Sequence, residues 1–346
     1  LNIIFIFHGM YKFLVMTVAT ASVVSTAKAY CPGHITGFLS KVSGLTKYNN
    51  RLRNEGKERC SYLYKGSMGA GLAIDLGVTT TVTVFEKHDN YSETTYDVFI
   101  NGSSQNLDIE VTESVVEQYL KLSRGKSYYI KIEHEISIPI GYGLSSSGGA
   151  ALSLSYALNR ALAVGLDIKQ AAQIAHCSEI ECKTGLGSVL AQYVGGFELR
   201  SKIGAPGIGV VDKILPLSSD IQDLRVLILC LSPVSTKKFL TEHIEVLNGF
   251  GEKMLERLHV SRDISDFLGL SFEFANHLGL IRGRSGTLIR TLKSQGFGCG
   301  MALFGDTIFS IVRSGDVDNV INCLNGNGGR LIVCGIDNHG ARLLEK

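Results

Sequence analysis

The sequence lacks a charge imbalance and any strongly basic run. Its 346 residues carry 34 Lys and Arg against 32 Asp and Glu, which gives a formal net charge of +2. No segment is rich in Lys and Arg, and aromatic and basic residues are not interleaved as in nucleic-acid-binding surfaces. We therefore expect no nucleic-acid partner. The hydrophobic content of 45% is ordinary for a globular protein, and the length favours two domains.

Cysteine pairs with redox spacing are also missing. The chain has eight cysteines, but no Cys-x-x-Cys occurs, and several cysteines lie in apolar, strand-like runs. Buried free thiols in a reducing compartment explain this pattern better than disulfides do, so we expect a cytoplasmic protein. Cys177 and Cys182 are five residues apart on a predicted helix, which separates their sulfurs and disfavours a zinc site.

A long hydrophobic run is absent as well. Residues 13–24 form an apolar stretch of about a dozen residues, which is too short to cross a bilayer, and we expect no membrane partner. The stretch resembles a signal peptide with a small-residue cleavage site near Ala29. Cleavage there would remove part of the strand that leads into His34. We therefore interpret residues 1–27 as a first strand or as an N-terminal extension from a misread start.

The spacing of apolar residues predicts an α+β chain of two layers rather than strict β-α-β alternation. Residues 28–150 have mainly strand-like patterns, with a hairpin turn at Asn101-Gly102. Helices are predicted over 148–164 and 167–183, and Asp167 is suited to cap the second.

The second half is predicted to contain a buried strand, a run of helices and two further strands, at 224–231, 236–294, 298–313 and 330–335. A Gly/Pro turn cluster at 204–209 marks the predicted junction between two domains. The predicted domains are therefore 28–203 and 204–346.

Residues 139–150 carry the most chemical information. They have the sequence Pro-Ile-Gly-Tyr-Gly-Leu-Ser-Ser-Ser-Gly-Gly-Ala, between a strand-like and a helix-like segment. Free N–H groups and the dipole at a helix N-terminus attract anions, and glycines allow close approach of a polyphosphate. The loop is not a Walker A motif, because no Gly-Lys-Ser/Thr follows. The alternative is a connector without a ligand. The predicted phosphate site consists of Pro139, Gly141, Gly143, Leu144, Ser145, Ser146, Ser147, Gly148 and Gly149.

This loop resembles the second motif of the GHMP kinases, Pro-x-x-x-Gly-Leu-x-Ser-Ser-Ala, with Gly148 in the last place. Segments 29–38, 66–71 and 175–187 resemble the archaeal pantoate kinases, and 296–300 more weakly resembles the third GHMP motif. The resemblance implies an N-terminal domain like ribosomal protein S5 domain 2 and a ferredoxin-like C-terminal domain. It also implies ATP, bound by the phosphate loop, and Mg²⁺.

The resemblance further implies roles for single residues. Ser147 and Glu179 match Mg²⁺ ligands, and a hydroxyl, a carboxylate, nucleotide oxygens and water would complete an octahedral shell. Arg200 suits a substrate carboxylate, because a guanidinium can bind it through two hydrogen bonds. We predict catalytic roles for these three residues. The substrate-binding residues that the resemblance implies are His34, Thr36, Ser67, His176, Arg200 and Thr236.

Three of these residues also have simpler interpretations. Glu179 could be a solvated charge on a helix, and His176 could be a hydrogen-bonded histidine of the core. Thr236 could be the N-cap of the helix that follows it.

Position 188 departs from the family pattern. The family continues Thr-Gly-Leu-Gly with Asp, and this chain has Ser188 there. Serine cannot accept a hydroxyl proton at neutral pH as a carboxylate does. The transfer could proceed without a strong base, another carboxylate such as Glu181 could substitute, or activity could be lost. A loose transition state tolerates a weak base, so kinase activity remains the leading hypothesis.

The leading hypothesis is ATP-dependent phosphorylation of pantoate to 4-phosphopantoate, in the archaeal route to coenzyme A. A kinase of the same fold that acts on pantothenate or another small alcohol is the nearest alternative. A non-catalytic, metabolite-binding regulator is the alternative of a different class, because of Ser188. The sequence leaves open a homodimer.

Overall fold

The structure is a computed structural model, which describes residues 22–43, 61–87, 93–104, 109–123, 127–214, 221–247 and 249–345. Most of the predicted extension, up to residue 21, lies outside the described ranges. In these ranges, no helix has the length and apolar character needed to cross a membrane.

Seven strands form the first sheet. Its order is β11-β1-β2-β4-β3. Near the start of β2, β5 pairs with it, and β6 pairs with β5. The long strands β1 and β2 pair antiparallel, and their Val, Ile and Thr residues suit a pleated, buried surface. The strands are β1 (Val23–Ser43), β2 (Gly66–Glu86), β3 (Thr95–Ile100), β4 (Tyr128–Ile136), β5 (Phe197–Lys202), β6 (Val210–Lys213) and β11 (Arg342–Leu344).

Four helices accompany this sheet, and all four contribute to a core shared with it. They are α1 (Glu110–Leu122), α2 (Ser146–Ala161), α3 (Ile168–Cys182) and α4 (Ser188–Val194). The predicted cap of α3 is confirmed, because the Asp167 side chain accepts the N–H of Gln170 in a reciprocal capping box. Of the predicted hairpin after β3, only the turn is confirmed. One bridge between Ile100 and Ser103 closes it, and β3 itself pairs parallel with β4.

The second sheet has the order β10-β7-β9-β8. In chain order its strands stand 4-1-3-2, which is the ferredoxin-like arrangement expected for the C-terminal half. The strands are β7 (Leu224–Pro233), β8 (Gly300–Met301), β9 (Gly305–Arg313) and β10 (Arg330–Cys334). The helices are α5 (Thr236–Leu247), α6 (Glu252–Ser261), α7 (Ile264–His277), α8 (Gly283–Ser294) and α9 (Val317–Leu324). The α+β class is confirmed.

The two halves share one continuous core. Leu72 of β2, Ile228 of β7 and Phe267 of α7 belong to the same buried cluster. β6 and β11 also lie beyond residue 204 but pair with strands of the first sheet. The boundary at residues 203 and 204 therefore stays a prediction. A cleft between the two halves is lined by residues of both, such as Ser147 and Thr236.

The seven described cysteines are free thiols, and five of them are buried. The cytoplasmic location that their spacing predicts stays a prediction.

Candidate active site

The phosphate loop lies between β4 and α2, and its glycines are required by its backbone. Gly141 and Gly143 have φ values of 86° and 74°, in the left-handed region that favours glycine. A Cβ atom on Gly143 would lie 2.3 Å from the carbonyl oxygen of Leu303, so no side chain fits there. The N–H of Val234 donates to the carbonyl oxygen of Gly141 at 2.7 Å. These contacts hold the loop against segments that follow β7 and β8.

Helix α2 begins without a capping side chain. Ser145 at the N-cap position has a φ of 57° and makes no capping hydrogen bond. Its hydroxyl instead donates to the carbonyl oxygen of His34 at 3.2 Å. The first N–H groups of a helix have no acceptor within the helix. They remain available to an anion, and Ser146 and Ser147 line the cleft beside them.

Glu179 of α3 is fully buried beside the loop. Its Oε1 accepts a hydrogen bond from the Ser188 hydroxyl, and its Oε2 accepts from the N–H of Val189 at 3.4 Å. Burial raises the pKa of this carboxyl, and the hydrogen bond from Ser188 is the largest of the opposing effects. The solvated-charge interpretation of Glu179 is therefore wrong.

The carboxylate of Glu179 occupies space that two glycines leave open. A Cβ on Gly185 would lie 2.0 Å from Oε1, and one on Gly148 would lie 2.9 Å from it. In the described part of the chain, Glu179 forms no salt bridge. A buried carboxylate without an ion-pair partner among the described residues, next to the serine-rich loop, supplies the hard oxygen donors that Mg²⁺ prefers. Ser147 and Glu179 therefore fit the predicted metal.

The strand β5 brings two charged side chains together. Glu198 and Arg200 are both fully buried, and Arg200 Nη1 lies 3.1 Å from Glu198 Oε1. His34 Nε2 lies 3.0 Å from the same carboxylate oxygen. Burial is the main cause that lowers the pKa of His34, although the bond to Glu198 opposes it. Apart from the ion pair with Glu198, the three guanidinium nitrogens of Arg200 have no hydrogen-bond partner among the residues that the structure describes.

One cleft brings most of the predicted residues together. The predicted residues that line it are Thr36, Ser67, Gly141, Gly143, Leu144, Ser145, Ser146, Ser147, Arg200 and Thr236. Ser188 also lines it, with Leu39, Thr184, Gly185, Leu186 and Phe304, none of which was a predicted site residue. The phosphate loop and the predicted carboxylate-binding arginine therefore face one space.

Other predicted residues lie outside the lining of the cleft: His34, Pro139, Gly148, Gly149, His176 and Glu179. His176 is buried, its Nε2 lies 3.1 Å from the carbonyl oxygen of Lys65, and burial lowers its pKa to about 4. This is the geometry of the core-histidine interpretation, and the substrate role of His176 remains an untested prediction.

Thr236 is the first residue of α5 rather than its cap. The hydroxyl of Ser235 accepts the N–H of Lys238 at 3.4 Å, so Ser235 is the capping residue. The capping interpretation of Thr236 is therefore wrong. Thr236 lines the cleft instead.

Glu181 does not line the cleft, so the structure gives no support for it as a substitute for the missing aspartate. Its side chain is exposed, and its Oε2 accepts a hydrogen bond from the Ser114 hydroxyl at 3.1 Å. The carboxylate nearest to Ser188 is Glu179, to which the serine hydroxyl donates.

Glu198, which pairs with Arg200 but does not itself line the cleft, was not among the predicted residues. The sequence signal was present, because two charges at alternate positions of an apolar strand, Glu198 and Arg200, must share one face. Two charges on a buried face are costly unless they are paired or bind a ligand.

The chain is similar to known kinases over most of its length. The model of the GHMP kinases N terminal domain matches residues 109–196. The pantoate kinase of Methanocaldococcus jannaschii is 33% identical over 309 residues, which are 89% of this chain and 99% of that protein. The pantoate kinase of Thermococcus kodakarensis is 29% identical over 307 residues, which are 86% of this chain and 91% of that protein.

Solved structures of phosphotransferases are also similar to the chain over most of its length. A phosphotransferase related to the CoA biosynthesis pathway has a TM-score of 0.76 and 27% identity, and the match covers 92% of this chain and 98% of that one. Mevalonate-3-kinase from Thermoplasma acidophilum, at 13% identity, has a TM-score of 0.62 over 92% of this chain and 98% of that one, and shares the fold. With the phosphate loop at the start of α2, these likenesses show that the chain belongs to the pantoate kinase family of the GHMP kinases.

Proposed function

We propose that this chain transfers the γ-phosphoryl group of ATP to the C4 hydroxyl of pantoate, which yields 4-phosphopantoate and ADP for coenzyme A biosynthesis. The observation that carries the proposal is Arg200. Its guanidinium is fully buried, lines the same cleft as the phosphate loop, and, apart from the ion pair with Glu198, has no hydrogen-bond acceptor among the described residues. Buried N–H donors almost always have a hydrogen-bond acceptor, and a substrate carboxylate would be the acceptor for the Arg200 guanidinium.

The phosphate loop binds the nucleotide in this proposal. The uncapped N-terminus of α2 offers backbone N–H groups to phosphate oxygens, and Ser146 adds a hydroxyl. Ser147 and Glu179 would hold Mg²⁺, which neutralises charge on the phosphate oxygens when it is bound. Catalysis of phosphoryl transfer depends mainly on such positioning and charge compensation.

Ser188 orients the substrate rather than accepting its proton. Its hydroxyl donates to the buried Glu179 carboxylate, so the lone pairs of its oxygen are free to accept a hydrogen bond in the cleft. A substrate hydroxyl that donates to this oxygen is held near the phosphate loop. A loose transition state needs little help from a base, so a serine in this place is compatible with turnover.

A coupled ADP-release assay with ATP, Mg²⁺ and a set of alcohols tests the proposal. We expect turnover with pantoate and much slower turnover with pantothenate, because the carboxylate that Arg200 would bind is an amide in pantothenate. Faster turnover with pantothenate would make the chain a kinase of another substrate. Pantoate binding without any ADP release would make it a regulator.

A further inference from the structure

Two buried charged groups on β5 have unused hydrogen-bonding capacity. Glu198 and Arg200 stand two positions apart, so their side chains lie on the same face of the strand; Arg200 lines the cleft, and Glu198 contacts Arg200 just outside the lining residues. Within the described ranges, Glu198 Oε2 and Arg200 Nε and Nη2 have no hydrogen-bond partner, and Nη1 has only the ion pair with Glu198. Buried polar atoms rarely remain unbonded. The pair therefore needs ligand atoms of two kinds, an acceptor for Arg200 and a donor for Glu198.

The other oxygen of Glu198 is already used. Oε1 lies 3.0 Å from His34 Nε2 and 3.1 Å from Arg200 Nη1. An ionised carboxylate only accepts hydrogen bonds, so His34 Nε2 carries the proton, and its Nδ1 can accept from the Thr36 hydroxyl 3.4 Å away. The imidazole fits because residue 71 is glycine, where a Cβ would lie 2.5 Å from Nε2. His34 therefore holds Glu198 and leaves Oε2 free.

We infer that Arg200 and Glu198 together select a 2-hydroxy acid, with Arg200 bound to the carboxylate and Glu198 Oε2 accepting the hydrogen bond of the hydroxyl on the adjacent carbon. The inference rests on the proposed function, since pantoate has hydroxyl groups at C2 and C4. The two protein groups are in direct contact, which matches ligand groups on neighbouring carbons. A keto group at C2 would place an acceptor against the carboxylate, and a methylene would leave Oε2 unbonded.

Comparison of three substrates in the wild-type protein tests this inference. The compounds are pantoate, its 2-deoxy analogue (4-hydroxy-3,3-dimethylbutanoate) and its 2-oxo analogue (4-hydroxy-3,3-dimethyl-2-oxobutanoate). We expect kcat/KM to fall on the order of 10²-fold for the 2-deoxy compound, because a hydrogen bond to a charged group is lost. The 2-oxo compound should be poorer still, because its oxygen faces the carboxylate.

The outcomes separate the inference from the proposed function. If the 2-oxo compound is used within about threefold of pantoate, no carboxylate contacts the C2 oxygen and the inference is overturned. If none of the three compounds is phosphorylated, the proposed function fails and the inference fails with it.

Variants assign the selectivity to Glu198. Glu198→Gln keeps the size of the side chain but adds an N–H₂ donor, so the preference for pantoate over the 2-oxo compound should fall at least about tenfold. The matched control Glu135→Gln, at an exposed carboxylate of β4, should leave this preference unchanged. If Thr36→Val removes the preference and Glu198→Gln does not, the acceptor is Thr36 and the inference is wrong. Should Glu198→Gln fail to fold, the three-substrate comparison still decides.

Discussion

Gly185→Ala tests whether the position of the Glu179 carboxylate controls turnover. A Cβ at residue 185 would stand 2.0 Å from Oε1 and 2.5 Å from Cδ of Glu179. Ordinary contacts of a Cβ atom begin near 3.4 Å, so the carboxylate must move by more than about 1 Å. Gly185 is not among the glycines with a left-handed φ, so the methyl group and not backbone strain is the perturbation.

The expected cost follows from that displacement. Moving a positioned group by about 1 Å can lower a rate about 10²-fold, and phosphoryl transfer depends on positioning more than on covalent steps. We therefore expect kcat to fall about 10²-fold. The three atoms nearest to the added Cβ belong to Glu179 and Ser188 and none to Arg200, so the KM for pantoate should rise by a smaller factor than kcat falls. The Mg²⁺ concentration that gives half-maximal rate should rise.

The assay is coupled ADP release at saturating pantoate over a range of Mg²⁺ concentrations, with thermal unfolding as the check of folding. Gly269→Ala is the control, because a Cβ there meets nothing within 4 Å on the exposed side of α7. It should leave kcat unchanged and stabilise the helix by roughly 0.5–1 kcal/mol. A folded Gly185→Ala protein with wild-type kcat and Mg²⁺ dependence would refute the reasoning.

Three further predictions concern Arg200, Ser188 and the buried histidines. Arg200→Ala should raise the KM for pantoate, because about 2–5 kcal/mol of binding free energy is lost, and should leave the KM for ATP nearly constant. An equal rise in both constants would contradict a carboxylate role. Ser188→Ala removes a hydrogen bond that lowers the pKa of Glu179, so the acid limb of the kcat–pH profile should move to higher pH; an unmoved limb would show that this bond does not matter for turnover. Burial lowers the pKa of His134 and of His176 to about 4, below the value near 6.5 of an unfolded chain, so the unfolded state binds more protons below pH 6.5. The melting temperature should therefore fall as the pH drops from 6.5 towards 4, and a constant value would exclude this linkage.

The conformation of the loop at residues 139–150 could be predicted because it depends on local sequence. Glycines at positions of left-handed φ, a run of serines and a helix start are all visible within residues 139–150, and the structure shows Gly141 and Gly143 in that conformation. The cap of α3 at Asp167 was predictable for the same reason, since capping involves only the next three residues.

The surroundings of Arg200 could be predicted only in part. Arg200 was identified through the resemblance, but the contact of Glu198 with His34 depends on strands far apart in sequence. The same holds for β11, which pairs with β1 after more than 290 residues of intervening chain. Spacing in one segment carries no information about such pairings, because they are decided by how the whole sheet assembles.

The most direct test of the proposed function is ³¹P NMR of the product formed from ATP, Mg²⁺ and pantoate. C4 of pantoate is a methylene, whereas C2 carries a single proton. We predict one new phosphomonoester signal whose phosphorus couples to two protons, with formation of ADP in equal amount. A signal coupled to one proton, or no new ester with pantoate while pantothenate is phosphorylated, would contradict the proposed reaction.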